Sequence, residues 1–405
     1  MLVRSGTLMH PFRNVPSSTR RVVLAASPLA LALGFYNVAV AVFLPLEGMP
    51  VTNLGAVLTT FGVTMVTFSI PFAILSDRHG RKRIMVAGAL IASWVFAVPG
   101  LTSDFFLLEV SAVFGGMGEA MYLSTWNAYL ADTTSEEVRP AVFSLSFVTF
   151  TIASGLGSFL PALFPFFPLS LREAHRLTFM GLGLVSLLTP LAVLQYATDV
   201  KPTQSRRGIL PRKSLGIIAK FSVSNMLIAL GAGLIIPLIP TWFLVRFNET
   251  DVFSGPLIAA SSIAMGVAAV ASPWIARRVG LVKGMVMTQL LSTVFLFSMP
   301  FSSTPAIAGS LYVVRSMLMN MSSPLGDTFL MNKIAEDERA TASSFNVVIW
   351  RLPNAASTVV GGSLLGSGNL SLPFYLCSIL YVISISLFYT LFRRAEQTAQ
   401  PENHL

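Results

Sequence analysis

The sequence predicts an all-α integral membrane protein with twelve transmembrane helices in two six-helix pseudo-repeats. Three observations predict this fold class: an apolar composition, a series of long apolar segments, and loop motifs that recur 200 residues apart. Hydrophobic residues make up 54% of the 405 residues and charged residues only 11%, whereas soluble domains have about 25% charged residues. The chain is therefore too apolar to be a soluble protein with a single anchor.

Long apolar segments set the number of spans. A transmembrane helix needs about 20 mostly apolar residues, because lipid offers no hydrogen-bond partners to exposed backbone groups. Twelve segments meet this requirement. They are 22–45, 53–76, 84–101, 105–131, 140–165, 176–197, 220–245, 254–275, 283–303, 305–331, 340–366 and 370–392. The basic N-terminus imitates a signal peptide, but the eleven later segments indicate that the first one is a retained helix.

The net charge of +9 is concentrated on one side of the predicted membrane. Basic residues precede span 1, follow span 12 and fill the loops after spans 2, 6 and 8, while the opposite loops hold only Arg172, Arg176 and Arg246. This positive-inside pattern predicts a multi-pass protein of the cell membrane with both termini in the cytoplasm. The basic residues are expected to orient the protein and contact membrane lipid, so no nucleic-acid partner is predicted.

Two loop motifs recur at one offset. The segment LSDRHG at 75–80 is similar to IARRVG at 275–280, and EEVRPAVFS at 136–144 is similar to EDERATASS at 336–344. In both halves the first motif follows the second span and the second motif follows the fourth span. This agreement predicts a duplicated chain with a hinge rich in polar and basic residues. The predicted parts are a cytoplasmic tail 1–21, a bundle 22–197, a cytoplasmic linker 198–219, a bundle 220–394 and a cytoplasmic tail 395–405.

The layout of six plus six helices and the loop SDRHGRKR at 76–83 resemble the major facilitator superfamily of secondary transporters. The signature of that family between helices 2 and 3 reads G-x-L-a-D-R-x-G-R-[KR], and Ala73 stands in place of its leading glycine. The matching residues are Asp77, Arg78, Gly80, Arg81 and Lys82. The resemblance covers nearly the whole chain. It implies a monomer that moves a small-molecule solute by alternating access, with a substrate site near the bilayer midplane between the halves.

The loop between spans 2 and 3 is the candidate gate. Gly80 permits backbone angles that other residues avoid, and Asp77 can pair with arginines or lie against a helix N-terminus. The resemblance implies that Arg81 pairs with Asp132 at the end of helix 4, and that Asp77 docks near the start of helix 11 in the outward-open state. We expect these residues and Arg78 to gate the transporter; the simpler alternative is that the cluster only orients the protein.

Charged residues within the spans are the candidate functional groups. Glu119 in span 4, Arg315 in span 10 and Arg351 in span 11 fall near mid-span, and Asp327 lies nearer the predicted cytoplasmic end of span 10. A charge at a helix centre costs roughly 2.5–3.5 kcal/mol on insertion scales. These groups should therefore face one another or a wet cavity. Arg315 and Asp327 are twelve residues apart and point in directions about 120° apart, so we do not expect both to point straight into one cavity.

Three hypotheses for these charges remain open. In the first, Arg315, with Arg351, binds an anionic substrate, because arginine presents a fork of donors to carboxylate or phosphate. In the second, Glu119, with Asp327, is a proton carrier that exchanges its proton as substrate charge approaches. In the third, Glu119 and Arg315 form a purely structural pair. The first two are compatible, since a proton on Glu119 would free Arg315 to take an anion.

The predicted function is a proton-coupled secondary transporter of a small organic solute, with an anion as one substrate class. By resemblance, helices 1, 4, 7 and 10 line the cavity, so Asn37, Tyr122, Trp126 and Asn127 are further candidates for substrate contact. One alternative is a multidrug/proton antiporter for lipophilic compounds, although Ala112 stands where such antiporters carry an arginine. A second alternative is a lipid flippase or a non-transporting receptor. Substrate, direction and coupling ion are left open.

No enzyme is predicted. The sequence contains no H-E-x-x-H, G-x-S-x-G or P-loop motif, and its four histidines are assigned to tails or loops. Cys377 is the single cysteine, so the chain cannot form an internal disulfide or a thiolate metal site. We expect no metal and no cofactor, and interpret Cys377 as a small apolar residue of span 12.

Overall fold

The computed structural model describes residues 15–135, 137–198, 214–334 and 339–397, and these parts are helical without any strand. Twelve long helical segments follow in chain order. They are α1 Ser17–Leu46, α2 Val51–His79, α3 Arg81–Leu101, α4 Phe105–Asp132, α5 Arg139–Phe159, α6 Leu171–Tyr196, α7 Leu215–Phe247, α8 Asp251–Val279, α9 Leu281–Phe301, α10 Pro305–Lys333, α11 Arg339–Gly366 and α12 Leu372–Gln397. By length and composition, nine of these qualify as membrane spans within the described residues. The predicted all-helical class is confirmed.

The chain divides into two compact units, which we describe separately. The first comprises Met1–Met49 and Thr60–Arg206, and the second Pro50–Thr59 and Arg207–Leu405. In the first unit α1 packs on α5, and α3 packs on α4 and α6; in the second, α7 packs on α11, and α9 packs on α10 and α12. Each unit therefore repeats the same helix pairs, as the duplicated motifs indicate. Residues 199–213 of the predicted linker lie outside the described residues.

Two glycines form the turns at which the first repeated motif occurs. One residue separates α2 from α3, and one separates α8 from α9. These residues, Gly80 and Gly280, have φ angles of +96° and +89°. Residues with a Cβ rarely adopt such angles, whereas glycine adopts them without strain. The glycine of the motif is thus required by the turn itself in both units.

Other glycines let helix backbones touch within each unit. A Cβ added at Gly34 of α1 would lie 2.0 Å from the Ser154 carbonyl oxygen of α5, and one added at Gly233 of α7 would lie 1.9 Å from the Asn354 carbonyl oxygen of α11. Small residues at helix interfaces permit this close approach in membranes. The close packing of α1 on α5 and of α7 on α11 therefore requires that Gly34 and Gly233 have no side chain.

Replacing Gly233 with alanine is expected to destabilise the second unit, because α7 and α11 must move apart to clear the Asn354 carbonyl. Overpacking of this kind costs about 1–3 kcal/mol, which should lower the melting temperature of the purified protein by several degrees. Gly216→Ala, in the first turn of the same helix, is the matched control, since nothing lies within 4 Å of its added Cβ. Equal melting of the two variants would contradict the close-contact interpretation.

The start of α6 corrects one expectation. The apolar pattern alone starts span 6 at residue 176 and leaves His175 in a loop, but the helix begins at Leu171 because Ser170 and Glu173 form a reciprocal capping box. His175 is fully buried, and its ring stacks on Phe43 at 5.1 Å between centroids. The assignment of this histidine to a loop is wrong, because the apolar pattern takes no account of the short capping motif before it.

Proline residues lie at a break in α7 and inside α10 and α11. In α7 the α-helical hydrogen bonding stops at Ile235 and resumes at Ile239, with a 3₁₀ turn at Ile236–Leu238 that contains Pro237. Proline lacks the backbone N–H that the helix would use at this point. Pro324 and Pro353 lie inside α10 and α11. The break in α7 lies beside the cavity described below, which Pro237 helps to line.

Candidate functional site

A cavity of about 580 Å³ lies within the second unit. Residues of α7, α8, α9, α10, α11 and α12 line it, and α10 contributes the largest share, from Tyr312 to Asp327. This volume is within the range of small-molecule sites. The cavity therefore has room for a solute of metabolite or drug size.

Arg315 is a buried cation of this cavity. Only 5% of the residue is exposed, and its Nη2 donates a 2.7 Å hydrogen bond to the hydroxyl of Tyr381. Its Nε is buried without a hydrogen-bond partner, and within its own unit no described carboxylate pairs with the guanidinium. Burying a charge without a counter-charge is costly. The unsatisfied donor and charge therefore indicate a place for an anion.

Tyr381 holds Arg315 in position. The tyrosine is 1% exposed, and the guanidinium carbon of Arg315 lies 5.8 Å from its ring centroid, within cation–π range. The ring packs against Gly231 of α7, where an added Cβ would come within 3.1 Å of it. From α9, Ser292 donates to the Arg315 carbonyl at 2.9 Å. Residues of four helices, α7, α9, α10 and α12, thus hold Arg315 in position.

Amide side chains form part of the remaining cavity wall. Asn225 of α7 donates to the Oδ1 of Asn346 on α11 at 2.9 Å, and Gln289 of α9 donates to the hydroxyl of Ser322 on α10 at 3.1 Å. A primary amide has two donors and one acceptor with two lone pairs, so each pair keeps capacity for a ligand. Aromatic surface comes from Phe221 and Trp350. The lining suits a polar solute that carries an apolar or aromatic part.

Arg351 and Asp327 line the same cavity as Arg315. Arg351 is half-buried near the middle of α11 and has an interaction within the protein. Asp327 is exposed near the end of α10. The expectation that Arg315 and Asp327 do not both point straight into one cavity stays a prediction, and both residues line the same cavity. The cavity wraps around α10 widely enough to accept residues that point in directions about 120° apart.

Glu119 lies in the first unit, at the middle of α4, and is half-buried. It interacts electrostatically with the hydroxyl of Tyr36 on α1, and it has a further interaction within the protein. Tyr36 is 5% exposed and packs beside Phe96 at 5.4 Å between ring centroids. The acid in the middle of α4 is thus placed near a buried phenol of another helix.

The other predicted substrate contacts also belong to the first unit. Tyr122 and Trp126 stack at 5.5 Å, and the indole nitrogen of Trp126 donates to Ser146 at 2.9 Å. The buried hydroxyl of Tyr122 has no partner among the described residues. Asn37 and Asn127 are exposed. None of these four residues lines the cavity of the second unit, and their role in binding stays a prediction.

The predicted gate cluster is assembled around Arg81, which is 8% exposed. Its Nε lies 3.0 Å from Oδ2 of Asp132, its Nη1 pairs with Asp77, and the same nitrogen donates to Ser76 at 2.9 Å. The pairing of Arg81 with Asp132 that the resemblance implies is thus present. The cluster connects the end of α2, the start of α3 and the end of α4. Ion pairs in this position could gate the transporter, and gating itself stays a prediction.

Asp132→Asn is expected to weaken this cluster. It removes the charge of one partner from a buried arginine, and hydrogen bonds to charged groups contribute about 1.5–3 kcal/mol. Because Asp132 is partly exposed, we expect the lower end of that range. Thermal unfolding should show a loss of a few degrees, whereas Arg78→Gln, which changes an exposed cation of the same turn, should leave the melting temperature unchanged. An unchanged Asp132→Asn protein would mean that the pair does not stabilise the fold.

Sequence reasoning missed several residues that form the cavity. The sequence alone does not single out four of these residues, because each is one uncharged polar residue in an apolar span. They are Tyr381, Asn225, Asn346 and Gln289. A signal was present, since polar residues inside predicted spans are rare enough to ask what they face. The sequence could not predict the partners of these side chains, because the partners lie on other helices.

Comparison with known proteins decides the family. A model of the Major Facilitator Superfamily matches residues 22–358, and a second match covers residues 221–404. The chain belongs to the major facilitator superfamily. The resemblance indicated by the loop motif and the span count is thus confirmed.

Individual members of the superfamily are only distantly similar. An uncharacterized MFS-type transporter of Methanocaldococcus jannaschii is 26% identical over 151 residues, which cover 35% of this chain and 37% of that protein. The chain therefore matches little more than a third of that relative's length. Multidrug resistance protein 1 of Bacillus subtilis is 23% identical over 353 residues, which cover 83% of this chain and 86% of that protein. The crystal structure of the nucleoside transporter NupG has a TM-score of 0.76 at 13% identity and covers 93% of this chain and 100% of that one. This likeness confirms the fold alone.

Proposed function

We propose that this major facilitator is a secondary transporter of a small organic anion, and that the carboxylate or phosphate of the solute binds Arg315. One observation carries the proposal: a guanidinium that is 5% exposed, faces a 580 Å³ cavity and has no carboxylate partner among the described residues of its unit. The solute supplies the missing counter-charge.

The contacts of Arg315 favour an anion over a neutral solute. Tyr381 offers an uncharged oxygen and a ring face, which orient the guanidinium but leave its charge unneutralised. The buried Nε carries an N–H that forms no hydrogen bond with the described residues. Arginine binds carboxylate and phosphate through paired hydrogen bonds, which are shorter and stronger than neutral ones. A ligand anion would therefore gain both an opposite charge and paired hydrogen bonds from Arg315.

Coupling to protons is assigned to Glu119. It is an ionisable acid in the middle of a transmembrane helix, with an electrostatic interaction to the hydroxyl of Tyr36. Acids in such positions commonly serve proton relays in transporters. A proton carried by Glu119 together with an anion carried by Arg315 makes a monoanion symport electrically neutral. The pH difference across the membrane then drives transport, and the membrane potential does not contribute.

A multidrug/proton antiporter is the second candidate. The relative that matches 83% of this chain is named Multidrug resistance protein 1. Met265, Met285 and Met319 line the cavity, and flexible methionine side chains adapt to varied apolar ligands. This function requires lipophilic compounds as ligands, and the unneutralised charge of Arg315 opposes the binding of those that are cationic.

A thermal-shift screen of the purified full-length protein tests the proposal. Each carboxylic acid or organic phosphate is paired with its uncharged amide or alcohol, and lipophilic cations and sugars are run alongside. A ligand that binds only the folded state raises the melting temperature, so acids should raise it and their uncharged partners should not. Stabilisation by lipophilic cations alone would overturn the proposal in favour of drug export. An absence of any shift with all acids would reject anion binding.

A further inference from the structure

The carboxylate of Asp327 has no hydrogen bond or ion pair in the part of the chain that the structure describes. It lines the same cavity as Arg315, which also lacks an opposite charge in its unit. Arg351, which has an interaction of its own within the protein, lines the cavity as well, so two cations and one carboxylate face it. The described residues of the second unit neutralise neither Arg315 nor Asp327.

Their spacing explains why they do not neutralise each other. Twelve residues separate them on α10, which corresponds to about 18 Å along the helix axis. In water at physiological salt, charges farther apart than about 8 Å are largely screened. A cavity that holds Arg315 and Asp327 this far apart is electrostatically dipolar, and a simple anion bound to Arg315 would leave Asp327 without an opposite charge.

The surroundings of Asp327 suit an ammonium group. Its neighbour Gly326 lies against Phe221 and Met285; a Cβ added at Gly326 would be 3.6 Å from the Phe221 ring and 3.0 Å from the methyl carbon of Met285. The glycine thus lets Phe221 and Met285 pack closely against α10 beside Asp327. The Asp327 carboxylate is exposed to the cavity and has no partner among the described residues, so it can form an ion pair with a ligand cation.

We infer that the cavity takes an amphoteric solute: an elongated molecule whose anionic group binds Arg315 and whose ammonium or guanidinium group binds Asp327. The inference rests on the proposed function, because it uses the same anion site. It narrows the substrate class from organic anions to those with a cationic group at the opposite end. Asp327, assigned with Glu119 to proton coupling from the sequence, becomes a substrate-binding residue.

The test uses two probes that differ only at the far end, ω-aminooctanoate and ω-hydroxyoctanoate, titrated by calorimetry into the full-length protein. Wild type should bind the amino acid at least about tenfold more tightly, the equivalent of one additional charge-assisted hydrogen bond. Asp327→Asn, which is isosteric, should remove this preference and leave the affinity for the hydroxy acid unchanged. Equal weakening of both probes by Asp327→Asn would overturn the inference.

A chain-length series keeps the test independent of any variant. On wild type, affinity should peak at one length between ω-aminobutyrate and ω-aminododecanoate, because both charges must be reached at once. Affinity independent of length contradicts the inference. The two proposals fail differently: if neither octanoate binds, anion recognition by Arg315 is wrong, whereas equal binding of both contradicts only the amphoteric class.

Discussion

Arg315→Met is expected to abolish anion binding and, at the same time, to raise the melting temperature of the ligand-free protein. Methionine keeps much of the volume of the side chain but removes its charge and its donors. Two charge-assisted hydrogen bonds to a carboxylate contribute about 1.5–3 kcal/mol each, so the dissociation constant should rise about a hundredfold or more. Binding depends on this residue more than on any other that lines the cavity.

The stability gain has a separate cause. In the ligand-free protein the guanidinium is buried, contacts the hydroxyl and ring of Tyr381, and has no carboxylate partner among the described residues of its unit. Replacing buried charged groups with apolar residues of similar volume is often neutral or stabilising by about 1–4 kcal/mol. The unpaired Tyr381 hydroxyl offsets part of this gain, so we expect an increase of a few degrees.

A calorimetric titration and a thermal melt on the same preparation check both halves of this expectation. Arg278→Met is the control, because Arg278 is exposed and stacks on Trp274 at 4.1 Å from its ring centroid, outside the cavity. It should change neither anion affinity nor ligand-free melting by a comparable amount. A variant of Arg315 that melts far below wild type would show that the arginine serves the fold instead of the ligand.

Glu119→Gln is expected to abolish proton-driven accumulation while exchange of substrate across the membrane continues. Glutamine has nearly the same shape as glutamate but cannot take up or release a proton, so only the coupling is lost. In proteoliposomes with an imposed pH gradient, the accumulation ratio should fall to one. With labelled substrate inside and unlabelled substrate outside and no gradient, the exchange rate should stay within a few-fold of wild type.

Glu109 provides the matched control for coupling. It is also a half-buried glutamate of α4, ten residues before Glu119 and close to the start of the helix. Glu109→Gln should keep both accumulation and exchange. If Glu119→Gln still accumulates substrate against its gradient, the proton is carried elsewhere, and coupling by Glu119 is excluded.

The fold was readable from the sequence because membrane spans and their repeats are local patterns. A run of about 20 apolar residues is sufficient evidence for a span, and Gly80 and Gly280 mark equivalent turns in both halves. Helix ends were less accurate where a capping motif extends a helix beyond its apolar run, as at Ser170. That error moved His175 from a buried aromatic cluster to a loop.

The candidate site was only partly readable. Arg315, Arg351 and Asp327 stand out in the sequence because charge inside an apolar span is costly, and the structure places all three on the wall of one cavity. Tyr381 does not stand out, since its importance comes from its contact with a residue of α10, which no local pattern encodes. The angular argument separates the directions of Arg315 and Asp327 by about 120°, which is compatible with a cavity wide enough for both residues to line it.

The most direct measurement is an experimental structure of the protein with the acid that gives the largest thermal shift, preferably a brominated derivative that can be located without ambiguity. The anionic group should lie within hydrogen-bond distance of the Arg315 guanidinium, with the rest of the molecule in the cavity of the second unit. An anionic group bound elsewhere, with none at the Arg315 guanidinium, would contradict the assignment of this cavity as the substrate site.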